Sequence, residues 1–166
     1  MRTFSIDQMQ PEDWPFVRRI YLEGIATGMA TFEIEAPSWE AWDASHLMCG
    51  RLVARNDRDV MGWAALSPVS ARRVYAGVAE VSIYVGADNR RRGVGRGLLE
   101  RLIIESERND IWTLQAVIFP DNSATLALHS ACGFREVGRR ERIGKLNGTW
   151  RDTILLERRS KMIEVE

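Results

Sequence analysis

The run Val78 to Val85 alternates cleanly, with Ala79, Val81, Ile83 and Val85 on one face and Glu80, Ser82 and Tyr84 on the other, the period of a β-strand. It feeds directly into Arg90-Arg91-Arg92-Gly93-Val94-Gly95-Arg96-Gly97, and a helix follows from about Gly93 to Arg108 with Val94, Leu98, Leu102 and Ile103 as its apolar side. No other feature constrains the fold as much. A strand that enters a glycine turn and leaves as a helix builds a crossover, and the ligand crevice of such a plan lies at the carboxyl end of the strand. The glycines let the backbone approach a ligand, and the helix start presents free N–H groups with partial positive charge, as a phosphate cradle requires. A solvated basic turn with incidental glycines is the plain alternative. The strand before, the helix after and glycines at alternate positions weigh against it.

The rest of the chain fits around this unit. Pro11 with Glu12 and Asp13 opens an amphipathic helix carrying Trp14, Val17, Ile20, Tyr21 and Ile25, and Gly28 marks its end. Ser38 after Pro37 starts a shorter helix with Trp39, Trp42 and His46. The runs 51–56 and 60–67 flank an Asn56-Asp57-Arg58-Asp59 turn as an antiparallel pair. A strand is expected at 111–119 and a short helix over 123–132, capped by Asn122 and ended by Gly133. Strands at 134–143 and 150–157 are joined through Asn147-Gly148, a strong hairpin signal. The expected order is α, α, β, β, β, α, β, α, β, β, a mixed α/β plan in one domain over 1–166.

Composition narrows the class. The chain has 166 residues, 45% hydrophobic and 28% charged, enough for a core of its own. Lysine plus arginine equals aspartate plus glutamate at 23 each, which argues against nucleic acid or a membrane surface as a standing partner and for a neutral or small one. With two cysteines, Cys49 and Cys132, no signal-like apolar segment and no membrane-length apolar run, a cytoplasmic location is expected.

The loop chemistry narrows it further. A Walker loop needs Gly-Lys-Ser/Thr, absent here, and a dinucleotide fingerprint needs G-x-G-x-x-G, whereas the glycines stand at 93, 95 and 97. Arg90-x-x-Gly93-x-Gly95 fits the Gln/Arg-x-x-Gly-x-Gly/Ala loop that grips the pyrophosphate of coenzyme A. Together with Thr31-Phe32-Glu33, Tyr75, Glu80-x-Ser82-Ile83-Tyr84-Val85, Asn122, Leu128-His129, Gly133-Phe134 and Gly148-Thr149-Trp150-Arg151-Asp152, it resembles the GNAT superfamily of acetyltransferases. Within that superfamily the likeness is to the phosphinothricin and methionine-sulfoximine N-acetyltransferase branch, with arsinothricin-acetylating members similarly close.

The resemblance implies the GNAT acyl-CoA N-acyltransferase fold, an α/β domain with a mixed, mostly antiparallel sheet flanked by helices. It also implies acetyl-CoA as co-substrate, no metal and a homodimer. Glu80 takes the general-base position; from the residues alone, a carboxylate on a strand with an apolar far face is either functional or paired with an arginine. Ile83, Tyr84 and Val85 would receive the pantetheine arm on their backbone, and Arg91, Arg92, Gly93, Val94, Gly95 and Arg96 the pyrophosphate. Asn122 is a helix cap and, by resemblance, a pantetheine contact. His129 stands where many superfamily members carry a thiolate-protonating tyrosine; a hydrogen-bonded structural histidine is the alternative. Phe32 would line the acceptor site, and Arg73, Val74 and Tyr75 would contact the amino acid, a guanidinium fork suiting an α-carboxylate. Arg72 shares that stretch, and a solvated loop is its other reading.

Two departures stand out. Arg90 occupies a position where glutamine is common, and Arg91 one where glycine is frequent; a left-handed backbone there would disfavour arginine. The leading expectation is direct acetylation of the α-amine of a small amino acid. The alternatives are arsinothricin, a protein N-terminus or lysine, or a polyamine as acceptor, and, in another class, a non-catalytic anion-binding module.

Overall fold

The computed structural model describes residues 3–57 and 59–163; Arg58 of the expected turn lies outside them. Among the described residues, seven strands form one sheet in the order β1-β2-β3-β4-β5-β7-β6. The strands are β1 Ser5–Gln8, β2 Leu52–Arg55, β3 Val60–Pro68, β4 Val78–Val85, β5 Thr113–Ile118, β6 Arg135–Leu146 and β7 Thr149–Arg159. Helices α1 Trp14–Ala26, α2 Trp39–Ser45, α3 Val94–Arg108 and α4 Ser123–Ala131 flank it. Every neighbouring pair is antiparallel except β4 and β5.

The alternation of β4 separates two cores. Ala79 and Val81 face Leu98, Leu99 and Leu102 of α3. The opposite face of the sheet packs Val53, Trp63 and Ala65 against Val17 and Ile20 of α1 and Trp42 of α2, with Tyr84 at the margin. Glu80, Ser82 and Tyr84 therefore point to the α1/α2 side. Trp63 stacks on Tyr84 with ring centroids 4.8 Å apart, so this face is aromatic around its polar residues.

Local signals place most elements as expected, with three differences. β1 carries no strand signal in Ser5-Ile6-Asp7-Gln8; only its pairing with β2 makes it a strand. Pro11–Asp13 is a 3-10 turn running into α1, because the Asp13 carboxylate accepts from the Gln10 N–H (2.8 Å) and holds Arg55 in a fork (2.9 and 3.2 Å). The last hairpin is longer than its apolar pattern, Arg135–Leu146 with Thr149–Arg159, since β6 is mostly exposed and charged. Its turn is the one expected: Asn147 and Gly148 both have positive φ, 48° and 82°. Ser38 caps α2 by accepting from the Ala41 N–H, and Asn122 caps α4 by accepting from the Thr125 N–H.

Candidate active site

The register of β4 against β5 makes the site. The two strands pair only at Val78–Thr113, Ala79–Leu114 and Glu80–Gln115, and then diverge. Beyond Glu80 the β5-facing edge of β4 has no strand beside it, and a cleft of about 310 Å³ opens there. It is walled by Glu80 to Tyr84 of β4, Ala116 to Phe119 at the end of β5, and Ala30 to Glu33 of the segment after α1, and it is closed by Asn122, Thr125, His129 and Thr153. Glu80 stands at the apex. Gln115 Nε2 donates to its Oε1 (3.0 Å), no arginine pairs with it among the described residues, and its side chain is half-buried.

Of the residues singled out from sequence, the structure brings Phe32, Glu80, Ile83, Tyr84, Asn122 and His129 to this cleft. Val85 ends β4, and Arg91, Arg92, Gly93, Val94, Gly95 and Arg96 follow beyond the open end of the strand. There Gly93, with φ 78°, caps α3, and the first helical bond runs from the Gly97 N–H to the Gly93 carbonyl (3.0 Å), leaving the N–H groups of the first turn free. Arg91, Arg92 and Arg96 are exposed around them. Arg73, Val74 and Tyr75 form an exposed 3-10 turn before β4 and do not line the cleft, and the Arg72 guanidinium lies over the Tyr75 ring.

Arg91 adopts the left-handed conformation that disfavours arginine, with φ 61°. Arg91→Gly is therefore expected to stabilise the fold by about 1 kcal/mol, left-handed strain relieved less the added unfolded-state entropy. A urea titration checks the sign.

His129 is buried, and its Nδ1 lies 2.8 Å from the Thr125 carbonyl, which can only accept. The proton therefore sits on Nδ1, and Nε2 presents a lone pair with no partner among the described residues. Burial lowers the ring's pKa below the usual histidine value, which keeps it neutral. Thr153 Oγ1, also buried in the cleft wall, likewise lacks a partner among the described residues. On the α1 side the Tyr84 hydroxyl bonds to Thr31 and Tyr21, and burial pushes its pKa far above that of a free phenol. Thr153, Thr125 and Gln115 carried no sequence signal, because each acquires its place through pairing or packing with distant chain.

An open β4 edge fits an extended ligand that bonds to it as a strand would. The free N–H groups of α3 fit an anion, and the open space around Gly93 admits one. Among the described residues no histidine, cysteine and carboxylate cluster could hold a metal ion, and no helix is long and apolar enough to cross a membrane.

A divided sheet with a carboxylate at its apex and a helix N-terminus beyond its open end is an α/β site suited to an extended, anionic ligand. The comparisons with known proteins make this specific: the chain belongs to the acetyltransferase (GNAT) family, whose sequence model matches residues 7–134, and it is an N-acetyltransferase. It is 35% identical over 160 residues to a phosphinothricin N-acetyltransferase of Alcaligenes faecalis, covering 93% of this chain and 81% of that one. It is 26% identical over 159 residues to an L-methionine sulfoximine/L-methionine sulfone acetyltransferase of Pseudomonas paraeruginosa, covering 92% of each. Among solved structures, a GNAT superfamily phosphinothricin acetyltransferase of Sinorhizobium meliloti in complex with acetyl-CoA superposes with a TM-score of 0.86 at 29% identity, over 95% of this chain and 88% of that one.

Proposed function

We propose that this protein transfers the acetyl group of acetyl-CoA directly to the α-amino group of a small amino acid or analogue, of the phosphinothricin, methionine sulfoximine or methionine sulfone type. The observation that carries the reading is Glu80 at the point where β4 and β5 part, half-buried and, among the described residues, hydrogen-bonded to Gln115 with no arginine beside it. Acetyl-CoA supplies an acetyl group activated as a thioester. The backbone of Ile83 to Val85 would hold its pantetheine arm, with Asn122 beside it, and the first turn of α3 with Arg91, Arg92 and Arg96 its pyrophosphate.

At neutral pH the acceptor amine is mostly ammonium and must lose a proton before it can attack. Glu80 takes that proton, directly or through a water, while Gln115 fixes the carboxylate's orientation. A backbone N–H of β4 facing the thioester carbonyl stabilises the negative charge that develops on its oxygen. His129, held neutral with its one ring proton on Nδ1, offers Nε2 as an acceptor and so orients rather than protonates.

Phe32 lines the acceptor side. Arg73, Val74 and Tyr75 are assigned to the acceptor's carboxylate by likeness to the branch. They lie outside the cleft of a single chain, so a homodimer that brings a second copy to the cleft mouth belongs to the same proposal. Thiol release from acetyl-CoA that depends on an added amino acid tests the reading, and no turnover with any amine overturns it.

A further inference from the structure

The cleft's outer wall, residues 28–33, has no regular structure, and what holds it is remote in sequence. The Arg151 guanidinium donates from Nη1 to the Gly28 carbonyl (2.9 Å), across 123 positions of chain. It donates from Nη2 to both carboxylate oxygens of Asp121 (3.1 and 3.2 Å). The same group lies 4.2 Å from the centre of the Phe119 ring, and Phe119 meets Phe32 edge-on at 4.9 Å. Directly across the hairpin from Arg151, in register, is Gly144. A Cβ built there would stand 2.8 Å from the Phe32 ring, so only glycine leaves space for Phe32 where it is. The register depends on an irregularity of β6 between Arg140 and Gly144, where the Arg142 N–H donates to Asp152 (2.8 Å).

A planar fork that bonds in two directions while its face covers an aromatic ring is work a flexible ammonium does not reproduce. We infer that Arg151 is a positioning residue for acceptor recognition: with Gly144 opposite, it clamps residues 28–33 and sets the Phe32 ring at the acceptor side of the cleft. The inference rests on the acetyl-transfer reading for its functional part; the clamp itself does not.

Arg151→Ala and Gly144→Val test it from opposite strands of the hairpin. Both are expected to raise KM for the amino-acid acceptor on the order of tenfold, as befits loss of a charge-assisted hydrogen bond or displacement of Phe32, with KM for acetyl-CoA unchanged. Arg151→Lys is expected to behave as Arg151→Ala. Amide hydrogen exchange of the 28–33 segment is expected to quicken in Arg151→Ala. Equal rises in both KM values would reduce Arg151 to a general stabiliser and overturn the inference, as would a Lys variant that behaves as wild type. Unchanged exchange in Arg151→Ala would overturn the clamp. If the wild-type protein acetylates no amine, the functional reading fails, and the exchange experiment still decides the clamp.

Discussion

Glu80→Gln is expected to lower kcat on the order of 10²- to 10⁴-fold, the range for loss of a general base, while leaving equilibrium binding of acetyl-CoA where it was. The replacement suits the site. A glutamine at 80 can still accept from Gln115 Nε2 through its amide oxygen, so the link that joins β4 to β5 at the apex survives. What is lost is the ability to hold a proton. Because the groups proposed to hold the cofactor lie along β4 beyond residue 80 and at the start of α3, the substitution is made away from them. Pre-steady-state turnover and calorimetric titration with acetyl-CoA check the two halves. Turnover within a few fold of wild type would remove Glu80 as the base.

Gly62→Val is expected to cost about 3 kcal/mol, the upper end of the overpacking range, read as a lowered urea midpoint. Gly62 sits on β3 opposite Val85, where α3 crosses the sheet. A Cβ there would meet the Tyr84 carbonyl oxygen at 2.8 Å, Val94 at 3.1 Å and Leu98 at 3.2 Å. The first of these is backbone and cannot swing aside. Strain therefore enters the half of β4 that β5 leaves uncovered and the first turn of α3 together, the two places that would receive the cofactor, and acetyl-CoA affinity should fall with stability. Gly138→Ala is the control: a glycine of β6 with nothing within 4 Å of the added Cβ, at which no loss is expected. A Gly62→Val protein as stable as wild type would mean that the β3–α3 approach is looser than described.

These expectations show which parts of the protein are written locally. The alternation of 78–85, the Asn122 and Ser38 caps and the Asn147-Gly148 turn depend on neighbours within a few residues, and they are legible in the sequence. The conformation of residue 91 is less plain, since an arginine argues against a left-handed backbone and a left-handed arginine is what is found. The cleft itself is not local. It exists because the parallel pairing of β4 and β5 stops at Glu80 and Gln115, 35 positions apart, and no periodicity within either strand says where pairing stops. Strand β1 is too short and polar to announce itself. The tautomer of His129 follows from its reach to the Thr125 carbonyl, and the partners of Arg151 come from separate elements. The turn of Arg73, Val74 and Tyr75 shows the converse: an arginine fork in the right stretch of sequence lies outside the cleft of one chain.

A small free amino acid as the acceptor is tested most directly by a side-by-side acceptor panel with acetyl-CoA. Thiol release and product mass would be followed for phosphinothricin, methionine sulfoximine and methionine sulfone, and in parallel for an alanine-ended peptide, a lysine peptide and a polyamine. Release is expected to depend on the free amino acids, with one acetyl group gained on the α-nitrogen and none on the peptides or polyamine. Acetylation of the peptides or polyamine with none of the free amino acids turned over would contradict it.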